Sequence, residues 1–480
     1  MTRISLCIFL IFETFFIFIS SILNVNVLLV IVLNIWAVLF IYYTFRIKNN
    51  IVIWCFLVAF FVFLLGREMC FGYFGLKRYY LYLEKENTFT YFCLSLSLIG
   101  IAVGSYLASG KIHFTFGNIS NNSTDVQQAN YDISIRNICK YAFIFCYIFS
   151  LISVAFQIIF VRRVGYVESY VSDSGESGVP SFVSYIAAFT NIALCLYLAS
   201  RPAKKECSRI LFFYELYAIL TLFAGPRYPF IGISLFILIY YVIRQNLDGG
   251  WIKRRNLILL CIAAPILILV MQMAGSLRSG EQFSYGGVLR TVEDFLDSQG
   301  GSVNVIKRVR YFSNQIKDLT FTSFSTLYSN IFENLLMRRL FGVVAYTGNS
   351  IEHAMKGHSL MHRLSYYTYG SGYLNGRGVG SCYIAELYHD FGYVGVVLGS
   401  VLYGALMKKI GKLKLNRYMH DGILLSFVYA LLVAPRADFD TFIAGIINLY
   451  SIIGILIILF LSSLSRYKME KHAMSILKMK

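Results

Sequence analysis

The residues best suited to chemistry stand close together in one short segment, residues 377–395, with the sequence RGVGSCYIAELYHDFGYVG. It contains two carboxylates, Glu386 and Asp390, with His389 between them. On a helix, residues four apart share a face, so the two carboxylates would point the same way. A carboxylate near a hydroxyl group can act as a general base. Glu386 is the preferred candidate base and Asp390 or His389 the next, with a helix-cap or ion-pair role as the alternative.

Composition places this segment in a membrane protein. Hydrophobic residues make up 57% of the chain, aromatic residues 17% and charged residues only 14%, which is unlike a soluble domain. Crossing ~30 Å of hydrocarbon takes about 20 mainly apolar helical residues, because no water satisfies exposed backbone groups there. Apolar runs such as 28–41 and 446–464 are too continuous for a membrane β-barrel. We therefore predict an all-α, polytopic integral membrane protein.

Hydropathy predicts about twelve transmembrane helices and one long polar interruption. The division is a membrane domain at 1–274 with nine helices, a large polar loop at 275–378, and three more helices and a tail at 379–480. Two amphipathic stretches of the loop, 286–312 and 321–339, are predicted to be helices that pack on the membrane domain. The predicted spans are 4–21, 24–44, 51–66, 90–109, 139–160, 181–200, 210–224, 228–243, 257–274, 391–407, 422–436 and 442–464.

The distribution of Lys and Arg predicts the orientation. These residues concentrate in the short segments 45–50, 201–209, 244–255 and 408–417 and in the tail after residue 465. The positive-inside rule therefore places both termini in the cytoplasm and the large polar loop on the outer face. The same excess accounts for the net charge of +18, so no nucleic-acid partner is expected. The ten cysteines show no metal-ligand spacing, and neither a metal nor a cofactor is expected.

Five segments carry a family resemblance: GVGSCYIAELYHDFGYVG (378–395), HSLMHRLSYY (358–367), DFLDSQGGSVNVI (294–306), AGPRYPF (224–230) and APRADF (434–439). With them the chain resembles the bacterial O-antigen polysaccharide polymerases, the Wzy family. The resemblance implies a metal-independent glycosyltransferase on the outer face of the bacterial inner membrane. It would move a growing O-antigen or related glycan from undecaprenyl diphosphate onto a new lipid-linked repeat unit. Its implied partners are lipid-linked oligosaccharides, the bilayer and, as a candidate, a chain-length regulator protein.

Such chemistry needs cations, because negative charge develops on the departing diphosphate. Arginine suits that role since its guanidinium group makes bidentate contacts to phosphate. The alternative for an arginine at the end of a span is that its side chain reaches toward the lipid headgroups. The candidates for binding diphosphate or substrate are Arg227, Arg278, Arg290, Arg377 and Arg436.

Three further residues are candidates. His362 is a rival general base and Arg363 beside it a further charged group, although a surface histidine is more often structural. Tyr383 could stack on a sugar, but tyrosines also populate the interfacial belt of membrane proteins.

Two other functions share parts of this pattern. An O-antigen ligase or another glycosyltransferase acting on lipid-linked sugars would also have many spans and one large outer loop. A lipid-linked oligosaccharide flippase or other transporter would have about a dozen spans, with charges along a central pathway. In this chain the charges cluster at the predicted outer ends of the helices instead.

Overall fold

The computed structural model describes residues 26–73, 81–110, 125–165, 178–224, 228–252 and 287–478. Before the polar loop, it contains helices α1 (Val27–Phe45), α2 (Ile51–Tyr73), α3 (Asn87–Leu107), α4 (Asp125–Val164), α5 (Ser181–Ala199), α6 (Lys204–Phe223) and α7 (Tyr228–Asp248). After the loop come α15 (Tyr383–Gly411), α16 (Tyr418–Val433), α17 (Thr441–Ala444) and α18 (Leu449–Lys478). The described residues contain no strand.

The prediction of an all-α polytopic membrane protein is confirmed. Within the described ranges, nine helices are long and apolar enough to cross a membrane, namely α1 to α5, α7, α15, α16 and α18. The predicted span 210–224 falls in α6, which is not among those nine. The predicted spans 4–21 and 257–274 lie outside the described residues.

The polar loop is largely helical. It forms α8 (Val288–Gln299), α9 (Val303–Tyr311), α10 (Ser325–Phe332), α11 (Leu335–Phe341), α12 (Ile351–Lys356), α13 (Leu360–Tyr369) and α14 (Ser371–Leu374). The break between α8 and α9 is a 3₁₀ turn at Gly300–Ser302, at the glycine pair of the sequence. One apolar face of α9, with Val305, Ile306 and Val309, is buried in the main hydrophobic core. The loop is therefore packed on the membrane helices. The end of the molecule that carries it is the loop end.

Small residues let α15 pack closely against α3. A Cβ atom added to Gly104 would lie 2.0 Å from the carbonyl oxygen of Val401, and one added to Gly404 would lie 2.2 Å from that of Ile101. Small residues at the interface allow such close approach of helices in membranes. The hydroxyl groups of Ser97 and Ser400, which are 3.0 Å apart, join the same two helices. This packing fixes α15, whose first turns belong to the segment singled out by the sequence.

A kink divides α15 near the loop end. Gly392 has φ 64° and ψ −154°, a backbone conformation that side chains with a Cβ rarely adopt. The first part of the helix, from Tyr383, carries Glu386, His389 and Asp390, and the second part contains most of the apolar span predicted at 391–407.

Candidate active site

A polar cavity of about 230 Å³ lies where the loop meets the ends of α2 and α16. Three arginines line it, Arg67 from α2, Arg308 from α9 and Arg436 from the turn that follows α16. Among the described residues no carboxylate lines this space, which is called the arginine cavity below. Its other lining residues are Ser298, Gln299, Gly301, Ser302, Asn304, Tyr369, Gly378, Val379 and Gly380.

The glycine pair brings the loop backbone against α2. A Cβ atom added to Gly300 would lie 2.3 Å from the Cβ atom of Arg67, so a larger residue there would push the loop away. A Cβ atom added to Gly301 would lie 3.8 Å from Nη1 of Arg67, and Ser302 and Asn304 line the same cavity as Arg67. The segment 294–306 therefore supplies a wall of the cavity.

The end of α8 contacts two of the three arginines. The Nε atom of Arg67 lies 2.9 Å from a carboxylate oxygen of Asp297. Arg436 donates from Nη1 to the side-chain oxygen of Gln299 at 3.0 Å. Burial raises the pKa of Asp297, while the charge of Arg67 acts in the opposite direction. Asp297 is thus a carboxylate joined to one of the cavity's cations and adjacent in sequence to Ser298 of its wall.

A buried ion pair fixes α9 to the membrane helices. Lys307 lies 2.6 Å from Glu68, and the two side chains are 6% and 0% exposed. Tyr91 of α3 donates to the second carboxylate oxygen of Glu68 at 2.7 Å. Removing one partner of such a pair is costly because it leaves an uncompensated buried charge. Arg308, the next residue after Lys307, is consequently held at a fixed place in the cavity wall.

Glu386 is buried, with 1% of its surface exposed, and does not line the arginine cavity. It accepts a hydrogen bond from the hydroxyl group of Ser381 at 2.6 Å and one from the backbone N–H of Phe439 at 2.8 Å. Ser381 directly follows the cavity-lining segment Gly378–Gly380, and Phe439 comes three residues after Arg436. Glu386 therefore joins the two segments that frame one side of the cavity.

Asp390 contacts a different part of the loop. It accepts from the backbone N–H groups of Thr322 at 3.1 Å and Ser323 at 2.7 Å, and from the Thr322 hydroxyl group at 3.0 Å. These N–H groups begin the 3₁₀ turn Thr322–Phe324, so Asp390 caps that turn. His389 beside it bonds the carbonyl oxygen of Leu319 at 2.9 Å.

Arg363 and His362 lie away from the arginine cavity. Arg363 is buried and donates to both carboxylate oxygens of Asp318 at 3.1 and 3.0 Å and to two carbonyl groups of α12. His362 bonds the hydroxyl group of Tyr373 at 2.9 Å and stacks on His353 at 3.7 Å between ring centroids. Burial, together with the charge of His353, lowers the pKa of His362 to about 3.

The remaining candidates are dispersed. Arg290 on α8 and Arg377 are exposed, and neither lines the arginine cavity, although Arg377 precedes Gly378 of its wall. Tyr383 is fully buried and its hydroxyl group bonds Ser97 of α3. Arg227 and Arg278 lie outside the described residues. Of the arginines proposed from the sequence, the structure thus brings Arg436 to the cavity.

Sequence reasoning missed Arg67 and Arg308. Arg67 directly follows the predicted span 51–66 and stands beside Glu68, and adjacent charges at the end of an apolar run are a signal of a functional site. Arg308 lies in the basic run KRVR of the amphipathic stretch 286–312, where it is one of several cations. Its convergence with Arg67 and Arg436 depends on tertiary packing, which the local sequence does not reveal.

The comparisons with known proteins agree with this architecture. The family model described as O-antigen polysaccharide polymerase Wzy matches residues 4–469. No curated protein and no solved structure matches the chain. The family match covers the membrane helices, the polar loop and all three arginines of the cavity.

Proposed function

The chain belongs to the O-antigen polysaccharide polymerase Wzy family, and on that premise we propose that the arginine cavity is its active site. Membership makes it a multi-pass bacterial membrane protein that polymerises lipid-linked oligosaccharide repeat units. Nothing in the described residues or in the family match favours the ligase-like or transporter alternatives.

The convergence of Arg67, Arg308 and Arg436 on one polar cavity carries the proposal. The donor is an undecaprenyl-diphosphate-linked glycan. Its diphosphate leaves with the electron pair of the broken glycosidic bond, and guanidinium groups can stabilise that charge through bidentate contacts. Preorganised charges of this kind are a large part of catalysis when charge develops in the transition state. Because three cations supply the charge, we propose that the reaction is independent of metal.

The acceptor hydroxyl oxygen forms the new bond to the anomeric carbon, and its proton passes to a base. We propose Asp297 for this role, since it pairs with Arg67, directly precedes Ser298 of the cavity wall, and has a raised pKa that strengthens it as a base. Glu386 and Asp390, whose oxygens accept hydrogen bonds from neighbouring segments, are proposed as positioning residues.

The orientation proposed is the one the charges predict. The loop end faces outward from the bacterial inner membrane, and both termini lie in the cytoplasm. At the opposite end, basic residues cluster where α15 finishes, with Lys408, Lys409 and Lys412, as the positive-inside rule requires. Nucleotide sugars are cytoplasmic, so an outward-facing cavity favours a lipid-linked donor. A chain-length regulator remains a proposed partner.

A glycan size assay tests the site. In a strain that lacks its own polymerase, we expect Arg436→Ala and Asp297→Asn to leave single repeat units in place of polymer. Arg290→Ala is the matched control, because Arg290 is exposed and does not line the cavity. It should retain wild-type polymer. Normal polymer from Arg436→Ala, at wild-type protein level, would contradict the assignment.

A further inference from the structure

A second cavity, of about 610 Å³, lies on another face of α9. Helix α9 contributes Arg308 to the arginine cavity and Val309 to this one. The segment before and within α15 is shared in the same way, with Gly378–Gly380 at the first cavity and residues 388–392 at the second. The second space is called the loop pocket below. One helix therefore contributes to both cavities at the loop end.

The volumes of the two cavities indicate that they bind different parts of the substrates. Polymerisation brings together two lipid-linked saccharides, and sites for small ligands usually measure about 300–1,000 Å³. The arginine cavity, at about 230 Å³, is below that range, whereas the loop pocket, at about 610 Å³, is within it. The arginine cavity has room for the donor diphosphate and the glycosidic bond that breaks. The saccharide of the second substrate therefore needs another site.

An aromatic ring is held in the loop pocket by a strained backbone. Phe321 has φ 59° and ψ 32°, the left-handed conformation that is unfavourable for a residue with a bulky side chain. Its ring lines the pocket although 64% of the residue is exposed, so burial in the core does not compensate for the strain. Asp390 maintains the conformation by bonding the two following N–H groups. Strain of this kind concentrates at ligand sites.

The rest of the pocket has the chemistry of a saccharide site. Apolar ring faces suit the C–H faces of a sugar, and a few convergent polar groups fix its orientation. Ser313, Lys317 and Thr320 supply polar groups, and Tyr388 supplies a second ring. Where α15 kinks at Gly392, Phe391 is 50% exposed. The apolar part of α15 begins at this kink, so the lipid end of a carrier would leave the pocket here.

We propose that the loop pocket binds the saccharide of the acceptor repeat unit, with the ring of Phe321 as its stacking platform. The inference rests on the proposed function, because a separate acceptor site is needed only if the arginine cavity takes the donor diphosphate.

Binding of the repeat-unit saccharide, freed from its carrier by mild acid, tests the inference on purified protein in detergent. Phe321→Gly removes the ring, and glycine adopts positive φ without strain, so the fold is retained. We expect it to weaken binding about twofold to twelvefold, the range for loss of one aromatic contact. Phe321→Tyr keeps the ring and should bind as the wild type does. Arg436→Ala should also retain saccharide binding.

The outcomes separate the two proposals. Unchanged binding by Phe321→Gly overturns the acceptor site, even if Arg436→Ala abolishes polymer and so supports the arginine cavity. Loss of saccharide binding in Arg436→Ala with retention in Phe321→Gly likewise overturns it, because the saccharide would then occupy the arginine cavity. If Arg436→Ala polymerises normally, the proposed active site fails whatever the binding results are. Melting temperatures of all variants establish that each is folded.

Discussion

At the scale of single residues, Glu386 and Asp390 stand four apart on α15 but hold different parts of the chain. Glu386 bonds Ser381 and Phe439, which adjoin two segments of the arginine cavity wall, and Asp390 bonds the turn that carries Phe321. Each has its oxygens occupied by local donors. Such a carboxylate is suited to fixing the positions of neighbouring groups.

Glu386 can be tested by two substitutions. Glu386→Ala leaves the Ser381 hydroxyl group and the Phe439 N–H without their acceptor, and an unsatisfied buried donor costs about 1–3 kcal/mol. We expect a lower melting temperature and little polymer. Glu386→Gln retains a side-chain oxygen and should keep much of both. If Glu386→Gln melts like the wild type yet makes no polymer, Glu386 is the base rather than a positioning residue.

Asp440, which directly follows Phe439, is a buried carboxylate whose pKa is shifted. Burial raises its pKa to about 6, and the nearby charge of Asp438 adds to the effect, while a bond from the Leu327 N–H at 2.6 Å acts against it. Asp440 therefore keeps its proton to a higher pH in the folded protein than in the unfolded chain. Its ionisation destabilises the fold as the pH rises from the usual aspartate range through about 6.

At the scale of elements, the sequence predicted what depends on local pattern. The continuous apolar runs predicted most of the membrane helices in the described residues, and the three-to-four-residue spacing of apolar side chains predicted the loop helices α8 to α11 but not α12 to α14. Arg436 was proposed because it ends a span. Arg436 bonds Gln299, which is 137 residues away, and shares the cavity with arginines of α2 and α9. These contacts were not predictable, since local periodicity contains no information on which helix ends meet.

The contact of α3 with α15 gives a prediction at this scale. Gly104→Ala adds only a Cβ atom, which would lie 2.0 Å from the Val401 carbonyl oxygen. We expect the helices to separate, with a loss of about 1–3 kcal/mol in the free energy of unfolding, as for other overpacked sites. The control is Gly110→Ala, where the nearest atom to the new Cβ would be at 3.6 Å. Equal melting temperatures for the two variants would show that the close approach does not constrain the fold.

At the scale of the whole molecule, the two ends differ in kind. The loop end carries both cavities, the capped turn of Phe321 and the three converging arginines. The opposite end carries basic residues at the ends of helices, among them Arg46, Lys408 and Lys412. This asymmetry is the basis of the proposed orientation.

Reporter fusions test that orientation. Green fluorescent protein joined after Lys480 should fluoresce, because it folds in the cytoplasm, and alkaline phosphatase at the same place should be inactive. A phosphatase inserted at Gly348 in the polar loop, between α11 and α12, should be active. The opposite pattern would place the arginine cavity in the cytoplasm, where a nucleotide-sugar donor would again have to be considered.

The buried pair of Glu68 and Lys307 has a consequence for how substrates arrive. Because α9 is fixed to α2 and α3 through charges that are costly to separate, it cannot swing away as a lid. Both cavities that it lines must then be filled without displacement of this helix. Carriers confined to one leaflet reach such a site by two-dimensional diffusion, so the encounter rate depends on how many lipid-linked units occupy each area of membrane.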